Sequence, residues 1–187
     1  SLSYLSASVS TLSQSAFSFS TWVYPVSAST SAKRYLYFAT SSYSVSTNDA
    51  VSQLYVGTNG DLYFELFYQN KFGGAPKSPE WRFENFMDDY EDQFVHVTVT
   101  HDSGSGGELN PKLYINAVSS SWDTFTFGSF TATASYELLA PEVLYVGAHR
   151  DGSDGISSYS WRGKIDETQW WNTELTEAEV ETLHNCK

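Results

Sequence analysis

A chain of 187 residues fits one domain of the all-β kind and can bury a core without cross-links. Its 13 Tyr, 12 Phe and 6 Trp, set among many Ser and Thr, suit pleated, half-buried surfaces better than helices. Ten Lys and Arg against 22 Asp and Glu leave a formal charge of −12, which excludes a footprint for nucleic-acid phosphates and disfavours anionic membrane surfaces.

The serine-rich lead-in 1–15 has room for one short strand. Phe17–Tyr24 alternates cleanly and stops at Pro25, which has no N–H for a ladder. Arg34–Thr40 alternates again. Gln53–Gly57 and Asp61–Phe67 flank Asn59-Gly60, a strong hairpin signal. A loop with Gly73, Gly74, Pro76 and Pro79 follows, then the short segment Trp81–Phe83 and an acidic stretch, Asp88 to Asp92, that reads as a solvated loop.

Phe94–Thr100 resumes the alternation and leads through a Gly/Ser loop, 103–108, to Lys112–Asn116 and Trp122–Phe127. Val143–Gly147 and Trp161–Trp171 complete the strands. One helix is expected, near 176–185. Thr176 with Glu179 forms a capping box, Leu175 and Val180 form a hydrophobic staple, and Val180 with Leu183 makes a narrow apolar stripe. Short strands separated by turn signals, with almost no helical period, argue for a sandwich or barrel. No internal repeat or domain boundary is visible, so residues 1–187 read as one domain. The chain does not begin with Met and is expected to be a piece of something longer.

Four segments in order resemble the laminin-G-like family of concanavalin A-like lectin/glucanase jelly rolls. They are FSFSTWVYP (17–25), FVHVTVTHD (94–102), LYINA (113–117) and WRGKIDETQWWNTELTEAEVETL (161–183). The resemblance implies an all-β, two-sheet antiparallel jelly-roll sandwich with one short C-terminal helix. Two positions depart from the family pattern. Phe94 stands where Trp is usual and should keep a large core aromatic. Ala117 replaces a turn Gly, so the turn after Asn116 must avoid positive φ there or bear the strain. The resemblance also implies that His96 packs or hydrogen-bonds inside the sandwich.

Enzymes share this fold, but no Glu-x-Asp-x-Glu run is present, and no Gly-x-Ser-x-Gly elbow accompanies the four scattered histidines. No catalytic residue is expected. Calcium is the cofactor to look for, since the superfamily often binds it through aspartates and oxygen ligands from loops suit it. Asp166 in Gly163-Lys-Ile-Asp-Glu167 is one candidate ligand, with a bulge of hydrogen-bonded carboxylates as its plain alternative. Asp151 and Asp154 in Asp-Gly-Ser-Asp-Gly are the others, with an ordinary turn as theirs. Aromatic rings grip sugars by stacking. Trp22 and Trp170 lie on alternating strands and should be core. Trp81, Trp122, Tyr159 and Trp161 lie near loops and are the candidate platform.

The expected function is therefore a recognition module for carbohydrate or glycoconjugate, calcium-assisted, on a cell or virion surface. The rival is a structural or decoration domain of a phage, capsid or surface filament that contacts other protein chains. A glycoside hydrolase of the same fold comes third. No nucleic acid or membrane insertion is expected. The lone Cys186 settles neither the compartment nor a partner.

Overall fold

The computed structural model describes residues 5–8, 16–26, 32–41, 50–70, 78–102, 110–126, 136–138, 141–148, 150–151, 155–156 and 160–186. Its strands are β1 (Leu5–Ser8), β2 (Ala16–Pro25), β3 (Arg34–Thr40), β4 (Ala50–Val56), β5 (Leu62–Leu66), β6 (Tyr68–Asn70), β7 (Glu80–Phe83) and β8 (Val95–Asp102). After them come β9 (Lys112–Ile115), β10 (Val118–Ser120), β11 (Thr124–Thr126), β12 (Tyr136–Leu138), β13 (Val143–Val146), β14 (Arg150–Asp151), β15 (Gly155–Ile156) and β16 (Gly163–Trp171). Helix α1 (Phe86–Tyr90) lies before β8, and α2 (Glu177–Asn185) closes the described chain.

Two antiparallel sheets carry the architecture. One has seven strands in the order β1-β13-β3-β4-β5-β7-β11, the other five in the order β10-β9-β8-β2-β16. Alternation in β2 and β8 sends Phe17, Phe19, Val23, Val95, Val97 and Val99 inward. They form one buried cluster with Leu36, Leu54, Leu62, Phe64 and Trp81 of the facing sheet. Burying each such side chain contributes roughly 1.5–3 kcal/mol. Trp170 joins them from β16, stacked on Phe17 at 4.8 Å and edge-on to Tyr37 at 5.4 Å.

The outer face of the five-stranded sheet is covered by α2. Thr176 accepts from the Glu179 amide while Glu179 accepts from the Thr176 amide at 2.8 Å, so the capping box forms as the sequence predicts. Leu175 and Val180 are buried together against Tyr114, and the Leu175 amide donates to Ser18 Oγ at 2.9 Å. The His184 ring stacks on Trp22 at 5.1 Å. His96 is buried beneath and shares a 2.6 Å hydrogen bond with Ser20 Oγ, which makes it a packed, bonded histidine.

Two expectations need correction. Asp88 and Asp89 are solvent-exposed, but on a short helical turn rather than a loop. Phe86 and Met87 pin α1 into the core, and the Asn85 amide at its start donates to Asp61 Oδ1 at 2.8 Å. Phe94 is 44% exposed and lies edge-on to Tyr24 at 5.1 Å, so it supplies no core aromatic. It precedes β8, and the ladder from Val95 onward takes up the inward positions. Asn59-Gly60 does mark the β4–β5 hairpin. There the Gly60 amide donates to Gly57 O at 3.2 Å and Gly60 holds φ 87°, the longer turn with one left-handed residue.

Candidate functional site

The segment 160–163 straps the two sheets together where their edges meet. Ser160 bridges to Tyr35 of β3, and the Trp161 amide donates at 2.8 Å to the carbonyl of Gly147, which directly follows β13, so both contacts are to the side of the seven-stranded sheet. Gly163 then enters β16 against Tyr24 of the other sheet. At φ 123° a Cβ there would stand 1.9 Å from Tyr24 O, so no larger residue fits. This path leaves the Trp161 indole half-buried between the sheets, its Nε1 donating to Lys164 O at 3.3 Å.

β16 then departs from regular pairing. Asp166 pairs with Trp22 and Gln169 with Ser20, so Thr21 alone faces both Glu167 and Thr168. Glu167 sits at φ 49°. Thr21 Oγ1 fills the widened gap, donating to Asp166 O at 3.2 Å and lying 2.9 Å from Thr168 Oγ1. Such a bulge re-aims the side chains beside it. Asp166 Oδ1 accepts the Glu167 amide at 2.9 Å, so one carboxylate of the bulge is hydrogen-bonded to its own strand.

Between this bulged edge and the edge strand of the other sheet lies a cleft of about 570 Å³. Leu5, Val146, Ile165 and Trp161 give it apolar walls, while Asp166 and Glu167 give it two exposed carboxylates. A second hollow of about 230 Å³ continues along β1 past Leu144 and Thr168 to Trp170. Lys164 also lines the cleft, but its ammonium stands 5.4 Å from the Tyr24 ring centre and 5.7 Å from that of Phe94.

Of the residues expected to bind ligand, the structure brings Trp161 and Asp166 into this one cleft. Trp81 does not belong to a platform. It is 5% exposed and packs on Phe64 at 5.7 Å, because β7 lies between β5 and β11 and turns alternate residues inward. Trp122 is half-buried, stacked on the same Phe64 at 6.2 Å, with Nε1 donating to Pro111 O at 2.8 Å. Tyr159 and Asp154 lie outside the described residues. The backbone of Asp151 pairs with Gly155.

Calcium asks for six to eight oxygens. At Asp166 the described residues supply two neighbouring carboxylates, one oxygen of which already takes an amide. No group of three or more His, Cys, Asp or Glu side chains that could hold a metal occurs among the described residues.

The outer face of the seven-stranded sheet carries a polar cluster that strand-by-strand reading missed. Glu65 of β5 pairs directly across with Glu80 of β7. Gln53 Nε2 donates to Glu65 Oε2, Tyr55 Oη donates to Glu80 Oε2 at 2.7 Å, and Lys33 Nζ donates to Tyr55 Oη at 3.1 Å. Burial pushes the Glu65 carboxyl up, with Glu80 adding to the shift and the Gln53 hydrogen bond opposing it. The neighbouring Tyr55 and Tyr63 rings stack at 5.2 Å. The alternation of each strand was visible in sequence; the register that sets the two glutamates side by side was not.

A family model described as the concanavalin A-like lectin/glucanases superfamily, Laminin_G_3, matches residues 2–181. No curated protein sequence matches the chain. Among solved structures, the botulinum neurotoxin serotype G binding domain is similar over 97% of this chain and 40% of its own, at 16% identity and TM-score 0.61. The serotype D binding domain is similar over 97% and 39%, at 14% identity and TM-score 0.59. The chain thus spans about two fifths of those domains. The CBM40 of a Ruminococcus gnavus IT-sialidase, solved bound to α2,3 sialyllactose, is similar over 92% of this chain and 84% of its own, at 14% identity and TM-score 0.59. Two packed antiparallel sheets, a capped terminal helix and a family match across nearly the whole chain agree: the protein belongs to the laminin-G-like family of the concanavalin A-like lectin/glucanase superfamily.

Proposed function

We propose that the chain is a non-catalytic recognition domain for carbohydrate or glycoconjugate, acting outside the cell or on a virion surface. The observation that carries this reading is the cleft of about 570 Å³ in which an indole, aliphatic walls and two carboxylates converge. Small-ligand sites are typically about 300–1,000 Å³, apolar with a few polar groups that fix orientation. The apolar face of a sugar ring suits Trp161 and its hydroxyls suit Asp166 and Glu167. Tyr159, close in sequence to Trp161, extends the platform in this reading. Similarity to a sialyllactose-bound domain supports it by analogy of fold. In this reading calcium assistance rests on Asp151 and Asp154 of the Asp-Gly-Ser-Asp-Gly segment.

The test is a glycan array with calcium and with chelator, followed by titration of the best ligand into wild type and Trp161→Ala. We expect retained glycans and at least a tenfold loss in the variant, with chelator reducing binding if that segment holds calcium. An array that stays silent under both conditions would favour the rival reading, a spacer or decoration domain whose cleft is sealed by another protein chain.

The Glu65–Glu80 pair favours a second reading, since glycosidases work with two nearby carboxyl groups. Both carboxylates already accept from Gln53 and Tyr55, which supports the non-catalytic reading. Release of reducing sugar that disappears in Glu80→Gln would replace recognition by hydrolysis.

A further inference from the structure

The bulge in β16 has a chemical consequence for what the cleft selects. Consecutive residues of a regular strand point to opposite faces, so Asp166 and Glu167 would be separated by the sheet. Here Glu167 takes φ 49° and the pairing slips between Asp166 and Gln169, and both residues line the same cleft. Two adjacent exposed carboxylates thus share one concavity with an indole.

The positive charge that could balance them is held elsewhere. Among the described residues Lys164 is the one basic residue lining the cleft, and its ammonium lies within about 6 Å of two aromatic ring centres, the range of cation–π attraction. Asp166 spends one oxygen on the Glu167 amide. The net field of the protein, at formal charge −12, also favours cationic over anionic ligands. The indole of Trp161 attracts cations through its ring face as well as sugars through stacking.

Resting on the recognition reading above, we propose that this cleft selects saccharides bearing a free primary amine, with the ammonium set between Asp166, Glu167 and the Trp161 ring. Neutral, N-acetylated sugars bind more weakly because the carboxylates then lack a charged partner. Sugars bearing carboxylates are repelled. The fold is shared with a domain solved on a sialylated ligand, but the charge on this cleft has the opposite preference.

Calorimetric titration of the whole chain with three probes tests this: a glucosamine tetramer, its fully N-acetylated counterpart, and sialyllactose. We expect the free-amine tetramer to bind at least tenfold tighter than the acetylated one, with the preference shrinking as salt rises. Asp166→Asn and Glu167→Gln, both at exposed positions, should each narrow the preference several-fold with melting temperature unchanged. Trp161→Phe should retain part of the binding. Equal affinity for the two tetramers would overturn the ammonium assignment while leaving glycan recognition standing. Tighter binding of sialyllactose, or an unchanged preference in both carboxylate variants, would overturn it too. Binding of none of the three probes, together with a silent array, would sink the recognition reading itself.

Discussion

Asn116 and Ala117 hold φ 51° and 63° in the two-residue turn joining β9 to β10, where Ile115 pairs with Val118. A turn with positive φ at both central residues suits the twist of a hairpin, but alanine bears a Cβ clash there that glycine lacks. Ala117→Gly should therefore raise the urea-unfolding free energy by about 1 kcal/mol. Part of that gain is lost with the contact of Ala117 on the Leu175–Val180 cluster. A destabilised variant would show that this contact outweighs the backbone strain. The departure at this position was legible in sequence because turn chemistry is local. Trp81 was not, because its flanking Pro79, Glu84 and Asn85 look like loop while β7 is held in the middle of a sheet by strands far away in the chain. Phe94 fails in the other direction: a pattern of residue types placed it, but exposure depends on which position of the strand faces inward.

Helix α2 illustrates what an element owes to its ends. Its burial against the sheet rests on Val180 within the helix and on Leu175 before the cap, so the capping bonds decide whether the first turn holds. Thr176→Ala should cost about 0.5–2 kcal/mol, read by urea unfolding, and Thr176→Ser should restore most of it. No change in the alanine variant would mean the cap contributes nothing beyond the Leu175 anchor. This element was readable because its signals all lie within ten positions. Helix α1 carries no such signature. It forms because Asp61, next to the β4–β5 turn, holds the Asn85 amide, and the Met87 amide reaches Gly60 O at 2.9 Å. A tertiary contact makes the turn, and no local pattern announces it. The strands showed the same division. Those with long alternating runs were found, while β6, β10, β12, β14 and β15, each of two or three residues, exist through their partners.

At the scale of the whole molecule, the two-sheet sandwich followed from alternation and turn signals, but the order of strands within each sheet did not. The cleft therefore stayed hidden, because it exists only where β1 and β16 end their respective sheets. Closing the sandwich also buries His101, which is 0% exposed and lies 5.5 Å from the Phe17 ring. Among the described residues neither of its ring nitrogens has a hydrogen-bond partner. Burial pushes its pKa down to about 4 from 6.5, with Asp102 and Glu174 pulling weakly the other way. Above pH 6.5 the ring is neutral in both states and stability is unaffected. Between about 6.5 and 4 the unfolded chain takes up the proton and the native one does not, so stability falls as pH falls. The loss attributable to this residue should approach about 3 kcal/mol near pH 4. Comparing unfolding free energies of wild type and His101→Leu across pH 4–7 isolates it; parallel curves would show that the ring titrates freely in the fold. The bulge that shapes the cleft acts on assembly as well. Among the described residues β16 pairs on one side only, and an unbroken nine-residue border would invite a strand from another copy to extend the sheet. The slip at Asp166–Gln169 divides that border into two short stretches, and the exposed charges of Asp166 and Glu167 stand at the break. The device that opens the cleft also interrupts the backbone edge along which a strand of a neighbouring copy would have to pair.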